Sequence, residues 1–96
     1  MNEMSNGAVT RDLKIVNEKG LHARASAKFV EMVEKFDAQA TVEKDGMSVS
    51  GDSIMGLLML TAPRGSTIRV TTRGVQAGEL AEALSALVGD YFGEGM

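Results

Sequence analysis

The chain has no cysteine and no tryptophan, and only one proline among its 96 residues. Without cysteine there is no disulfide, no thiol nucleophile and no thiolate ligand for zinc. Small secreted domains usually need disulfides to remain folded, so this composition favours the cytoplasm. We therefore predict a cytoplasmic domain that is stabilised by one apolar core.

Basic residues and long apolar runs are also scarce. The 10 Lys and Arg residues are outnumbered by 13 Asp and Glu residues, which gives a net charge of −3. Nucleic-acid-binding domains usually carry a basic face, so we expect no nucleic-acid partner. The longest apolar run, residues 54–62, is interrupted by Gly56 and Thr61. It is far shorter than the roughly 20 residues of a membrane helix, and we expect no membrane insertion.

The remaining residues form patterns typical of a mixed fold. Alternating polar and apolar residues predict strands at 12–15, 39–44, 47–50 and 67–72. Apolar residues three and four apart predict helices over 21–36, 53–60 and 76–91. Each strand has one apolar and one polar face. We therefore predict an α+β fold, an open-faced β-sandwich in which a four-stranded antiparallel sheet carries three helices on one face, in the order βαββαβα.

The same patterns predict the limits of the domain and several details within it. We expect a tail over residues 1–10, one domain over 11–92, and a frayed end over 93–96. Asp45-Gly46 indicates a two-residue hairpin turn in which both residues have positive φ. Met47 and Val49 of the return strand are predicted to face inward, and Tyr91 to lie in the core or at its rim.

The residues best suited to chemistry surround His22, the single histidine, which follows a glycine turn and begins a helix. Unpaired N–H groups at a helix N-terminus bind anions and disfavour a charged imidazole. A neutral ring is the nucleophilic form, and Arg24 can offer paired hydrogen bonds to phosphate oxygens. Physical chemistry alone still favours an ordinary surface histidine with a solvated arginine.

Two local strings carry a resemblance to a known family. The string G-L-H-A-R-A-S-A at 20–27 resembles the active-site segment G-L-H-[AT]-R-P-A of HPr, the histidine-containing phosphocarrier of the bacterial phosphoenolpyruvate-dependent phosphotransferase system. The string S-I-M-G-L-L-M-L at 53–60 resembles the family segment S-I-M-G-[VL]-M, which holds a regulatory serine. Ala25 stands where the family usually has proline, and both residues suit a first helical turn.

The resemblance implies a phosphoryl relay through a transient phosphohistidine, and not an enzyme with its own small-molecule substrate. His22 would accept the phosphoryl group at Nδ1 from phospho-enzyme I and pass it to IIA proteins or domains, with Arg24 as the phosphate partner. Ser53, which the local pattern predicts as a helix N-cap, would also be phosphorylated by an HPr kinase/phosphorylase. No metal and no cofactor is implied, and we expect a monomer.

The short helix after Ser53 contains more large apolar residues than one buried side can hold. Leu57 and Leu60 are predicted to face the core, which leaves the other apolar side chains outside. In the family this helix contacts both enzyme I and IIA, and Met side chains adapt to several partners. The predicted partner-binding residues are Leu21, Ile54, Met55 and Leu58.

Three alternatives remain open. The chain could be a nitrogen-type phosphocarrier that serves a regulatory IIA, or a binding module that uses the Ser53 helix to regulate a partner protein. It could also be an RNA-binding domain of βαββαβ type. The His22 and Arg24 pair argues against a pure binding module, and the lack of exposed strand aromatics argues against RNA binding. We predict solvated side chains for Lys28, Lys44, Arg64 and Arg69.

Overall fold

The computed structural model describes residues 7–96, and they form four strands and three α-helices. The strands are β1 (Val9–Lys14), β2 (Gln39–Lys44), β3 (Met47–Ser50) and β4 (Thr67–Arg73). The helices are α1 (Ala23–Glu34), α2 (Ile54–Met59) and α3 (Ala77–Gly89), followed by a 3-10 turn at Tyr91–Gly93. All strand pairs are antiparallel, and the strand order is β1-β4-β2-β3. The predicted fold class is confirmed.

The two central strands place alternate residues in the core. Ala40 and Val42 of β2 and Ile68 and Val70 of β4 are buried, while the residues between them are exposed. This is the period of two expected for a sheet with one covered face. The helices supply the other side of the core through fully buried side chains such as Phe29.

The first strand begins earlier than the sequence predicts. Val9 and Thr10 pair with Thr72 and Thr71 of β4, so these two residues belong to the sheet and not to a tail. Residues 1–6 of the predicted tail lie outside the described residues.

The hairpin between β2 and β3 is partly as predicted. Asp45 and Gly46 have φ values of 52° and 83°, which confirms the turn. Val49 packs against the core, but Met47 is 43% exposed, so the prediction that it faces inward is wrong. Met47 is the first residue after the turn, on an edge strand whose one sheet neighbour is β2. Alternation alone does not distinguish such a position from a covered one.

The chain after α3 also differs from the prediction of one continuous helix. The helix ends at Gly89, and Tyr91 and Phe92 take left-handed φ values of 59° and 52°. These two residues reverse the course of the chain, so that Phe92 is fully buried while Tyr91 is 37% exposed. Phe92 therefore takes the place in the core that the helical pattern indicated for Tyr91.

Candidate functional site

His22 is the N-cap of α1, and its ring takes part in the cap. The backbone of His22 is extended, and its Nδ1 accepts a hydrogen bond from the backbone N–H of Arg24 at 3.2 Å. Gly20 precedes it with a φ of 66°, and a Cβ at Gly20 would lie 2.5 Å from the carbonyl oxygen of Ala62. Only glycine fits this turn, which places His22 at the start of α1.

The other ring nitrogen of His22 meets a carboxylate from the far end of the chain. Its Nε2 lies 2.5 Å from Oε2 of Glu94, and the two side chains are 25% and 14% exposed. Since Nδ1 accepts a hydrogen bond from an N–H, the ring proton is assigned to Nε2. The Nε2–H group then donates a hydrogen bond to Glu94. The structure therefore differs from the predicted frayed end at 93–96, because Gly93 belongs to the 3-10 turn and Glu94 reaches the site.

Asn17 connects Glu94 to the loop that holds His22. Its side chain is fully buried, and Nδ2 donates to the carbonyl oxygen of Gly20 at 2.8 Å and to Oε1 of Glu94 at 3.0 Å. Burial raises the pKa of Glu94, but the hydrogen bonds from Asn17 and His22 and the nearby positive charge of Lys28 outweigh it. The pKa of Glu94 therefore lies below its ordinary value, and the carboxylate is ionised near neutral pH.

Lys28 fixes the same segment from α1. Its Nζ donates to the carbonyl oxygen of Phe92 at 2.7 Å, so the prediction of a solvated Lys28 is wrong. Its helical position directs the ammonium to the chain reversal that follows α3, which the local sequence pattern does not reveal. Two other cations predicted as solvated also have acidic partners, since Lys44 pairs with Asp45 and Arg69 with Asp12.

A cleft of about 690 Å³ opens beside His22. Its charged lining residues, besides His22, are Glu18, Lys19, Arg24, Lys28 and Glu94. Arg24 is exposed, and within residues 7–96 its guanidinium makes no hydrogen bond or ion pair. An anion bound next to Nδ1 would therefore meet a free guanidinium and the N–H groups of the first turn of α1.

Ser53 is the N-cap of α2, as predicted. Its Oγ accepts a hydrogen bond from the backbone N–H of Gly56 at 3.0 Å. The neighbouring Asp52 is exposed and accepts a hydrogen bond from the hydroxyl of Ser50 at 2.6 Å. The residue that precedes Ser53 in the chain is thus acidic and not basic.

The outer side of α2 is apolar. Leu57 and Leu60 are buried, which confirms their predicted orientation, while Leu58 is half-buried. Leu21 is 5% exposed and belongs to the core, so the structure does not place it on this surface. We call the exposed part the α2 patch, and its members are Ile54, Met55 and Met59, exposed by 40%, 71% and 61%.

Local sequence patterns identify His22, Arg24 and Ser53 as candidate site residues. They do not identify Asn17, Met59 and Glu94. Asn17 reads as an ordinary turn residue before glycine, and Glu94 lies in a short stretch rich in glycine. The one available signal is Phe92, a large apolar residue beyond the end of the helical pattern.

No group of three or more His, Cys, Asp and Glu side chains within residues 7–96 is placed to hold a metal ion. Over the same range, no helix combines the length and apolar character needed to cross a membrane.

Comparison with known proteins agrees with the geometry. Residues 9–90 match the family model described as the PTS HPr component phosphorylation site. The phosphocarrier protein HPr of Neisseria meningitidis is 44% identical over 85 residues, which cover 88% of this chain and 96% of that protein. The phosphocarrier protein NPr of Shewanella violacea is 38% identical over 84 residues, which cover 88% of this chain and 92% of NPr.

A solved structure gives the same result at the level of the fold. The crystal structure of HPr-C-His from Thermoanaerobacter tengcongensis superposes with a TM-score of 0.87 at 36% identity, covering 92% of this chain and 99% of that one. The residues matched by the family model, 9–90, include the His22 cap, the Ser53 cap and all four strands. By sequence and by fold, this chain belongs to the HPr family of phosphocarrier proteins of the phosphotransferase system.

Proposed function

We propose that this protein accepts a phosphoryl group on Nδ1 of His22 from phospho-enzyme I and passes it to IIA proteins or domains, with Arg24 as the phosphate partner. The observation that carries the proposal is the state of the His22 ring. Its Nδ1 has a lone pair directed at the N–H of Arg24, and its Nε2 faces a carboxylate. This arrangement supports Nδ1 as the nucleophile, beside a guanidinium that is free to bind phosphate oxygens.

The transfer step uses groups that are already in place. The lone pair of Nδ1 forms a bond to phosphorus while the bond from phosphorus to the donor atom of phospho-enzyme I breaks. The contact between Nδ1 and the N–H of Arg24 is long, at 3.2 Å, so it gives way at little cost. The released N–H and the guanidinium of Arg24 then donate to the phosphoryl oxygens, as helix N-termini and arginines do in anion sites.

The test is phosphorylation of the purified protein. Incubation with enzyme I and phosphoenolpyruvate is expected to give an acid-labile phosphate in the wild type and none in His22→Asn. Asparagine is a good N-cap, so this variant keeps α1 capped while removing the nucleophile. Circular dichroism checks that the variant is folded. A wild-type protein that takes up no label, or a His22→Asn variant that takes it up equally, contradicts the proposal.

We further propose that phosphorylation of Ser53 by an HPr kinase/phosphorylase slows the relay. A phosphate on this cap would suit the dipole of α2 but would place charge beside Asp52 and the α2 patch. Ser53→Asp should therefore take up phosphate on His22 more slowly than the wild type. Ser48→Asp, on the exposed strand β3, is the control and should keep the wild-type rate. Equal rates for Ser53→Asp and Ser48→Asp would remove the support for this regulation.

We also propose that the α2 patch, with Leu58 at its side, contacts enzyme I and IIA. Three exposed large apolar residues on one short helix support a docking surface. Met55→Glu should weaken binding to enzyme I by about tenfold, which is ~1.4 kcal/mol. Val75→Glu adds the same charge at a residue that is 83% exposed and lies before α3, and it should bind normally. Binding is measured by titration calorimetry, and an unchanged affinity of Met55→Glu would rule the patch out.

A nitrogen-type relay is a second candidate, because the NPr of Shewanella violacea matches 88% of this chain, the same share as the HPr of Neisseria meningitidis. Here the acceptor would be a regulatory IIA and not the IIA of a sugar permease. Transfer from the phosphorylated protein to each type of IIA from the same organism distinguishes the two. Faster transfer to the regulatory IIA favours the nitrogen-type relay, and faster transfer to the sugar IIA excludes it as the main function.

A further inference from the structure

We infer that Glu94 is a positioning residue for phosphorylation of His22. Its carboxylate holds the proton on Nε2, so that Nδ1 presents its lone pair to phosphorus. The same carboxylate offsets the positive charge that the ring gains when Nδ1 becomes bonded. This inference rests on the proposed function, because it assigns a residue to the same phosphoryl transfer.

Both carboxylate oxygens of Glu94 have a fixed partner. Oε2 meets Nε2 of His22 at 2.5 Å, and Oε1 accepts from Nδ2 of Asn17 at 3.0 Å. Asn17 is in turn fully buried and anchored to the carbonyl oxygen of Gly20 at 2.8 Å. A carboxylate oriented from behind in this way selects one tautomer of the imidazole and sets the plane of the ring.

The backbone before Glu94 is built to bring it to the site. Tyr91, Phe92 and Gly93 all have positive φ, at 59°, 52° and 75°. Left-handed backbone at two successive non-glycine residues is unfavourable, and such geometry persists only where surrounding contacts enforce it. Here the enforcing contacts are the complete burial of Phe92 and the 2.7 Å hydrogen bond from Lys28 to its carbonyl oxygen.

The charges balance through the transfer step. In the form that reacts, the ring has its proton on Nε2 and a lone pair on Nδ1, and Glu94 is an anion. As the bond from Nδ1 to phosphorus forms and the bond to the donor atom breaks, no proton leaves the ring, which becomes cationic beside the carboxylate. When the phosphoryl group moves on, the electron pair returns to Nδ1. The side chains of Glu94 and His22 are 14% and 25% exposed, so solvent screens their interaction less than it would on an open surface.

A carboxylate close to a phosphate site could instead repel the incoming dianion. The two nitrogens of an imidazole point away from each other, and Glu94 lies on the Nε2 side while the phosphoryl group would arrive at Nδ1. The cleft beside His22 is lined by three cations, Lys19, Arg24 and Lys28, and by the two carboxylates Glu18 and Glu94. The geometry therefore favours assistance by Glu94 over repulsion, and the two effects have opposite signs in an experiment.

The experiment compares Glu94→Gln with Glu79→Gln in the full chain. Glu79 lies in the first turn of α3, is exposed, and provides the same substitution away from His22. In single-turnover transfer from phospho-enzyme I, Glu94→Gln should be roughly 10- to 100-fold slower, as for the loss of a charge-assisted hydrogen bond. Glu79→Gln should match the wild type. Glu94→Asp keeps the charge and should recover part of the rate.

A second readout reports the tautomer directly. Nitrogen-15 spectra of His22 should show the proton on Nε2 in the wild type and in Glu79→Gln, and a mixture of tautomers in Glu94→Gln. Equal transfer rates for Glu94→Gln and the wild type, or faster transfer in Glu94→Gln, overturn the inference and leave the proposed function standing. A wild-type chain that takes up no phosphate overturns both.

Discussion

The N-caps of α1 and α2 are alike in local structure and different in their surroundings. In each, a side-chain atom accepts one backbone N–H, at 3.2 Å for Nδ1 of His22 and at 3.0 Å for Oγ of Ser53. The cap of α2 is local, since its partner Gly56 lies three residues away. The ring of His22 also contacts Glu94, which lies 72 residues away.

This difference shows what turns a helix cap into a chemical site. Free N–H groups are common to both caps, so they cannot by themselves explain a phosphoryl site. Next to Ser53 the nearest charge in sequence is the carboxylate of Asp52, whereas the cleft at His22 contains Lys19 and Arg24. His22 also gains the carboxylate of Glu94, which belongs to a second segment that the fold brings to the cap.

The largest expected effect comes from truncating Phe92, the buried side chain that holds the segment before Glu94. Phe92→Ala leaves a cavity at a fully buried aromatic, so the free energy of unfolding should fall by about 3–5 kcal/mol. Tyr91→Ala, at the neighbouring residue that is 37% exposed, should cost less than about 1 kcal/mol. Urea unfolding measures both variants. Equal losses would mean that the segment is held by its backbone and not by Phe92.

The second effect concerns the free cation. Arg24→Gln removes the guanidinium from the cleft and should slow phosphoryl uptake by about 10- to 100-fold, with little change in unfolding free energy. Arg64→Gln changes an exposed arginine in the loop before β4 and is the matched control. Uptake is measured with phospho-enzyme I under single-turnover conditions. If the two variants react at the same rate, net charge and not the position of Arg24 governs uptake.

A smaller effect is expected at the local cap. Ser53→Ala removes the acceptor for the N–H of Gly56 and should lower the free energy of unfolding by about 1 kcal/mol. Ser48→Ala changes an exposed serine of β3 and should be within about 0.5 kcal/mol of the wild type. Phosphate uptake on His22 should remain near the wild-type rate in Ser53→Ala. Slower uptake would show that the two caps are coupled.

The smallest effect is a pH dependence at Glu94. Its pKa in the folded protein lies below the ordinary value of 4.5, so folding favours the ionised form. The resulting stability is complete above pH 4.5 and is lost as the pH falls through the lower, folded-state pKa. Unfolding of the wild type and Glu94→Gln should therefore differ near neutral pH and converge in acid. A difference that stays constant with pH would assign the effect to packing alone.

The sequence indicates the fold well wherever burial follows a regular period. Alternation places Val42 and Val70 inside the sheet, and helical spacing orients Leu57 and Leu60 of α2. The period fails where the chain leaves regular geometry, because the positive φ values of Tyr91 and Phe92 change which residue faces the core.

The candidate site divides in the same way. Short sequence motifs contain His22, Arg24 and Ser53. Each motif can be recognised from neighbouring residues, so the sequence alone identifies these three as candidates. Asn17 and Glu94 belong to the site only because the chain reverses after α3, and their hydrogen bond joins residues 77 positions apart. No pattern within either segment encodes a partner at that distance.

The register of the sheet has a consequence for how the protein is made. Asp12 of β1 pairs with Arg69 of β4, so a long loop must close before the first strand gains its one neighbour in the sheet. Such non-local pairing is slow compared with helix formation. During synthesis His22 emerges long before Thr67–Arg73 and Glu94, so its side chain stays uncovered until these segments follow. A nascent chain released before Glu94 would contain the nucleophile without the carboxylate that faces it.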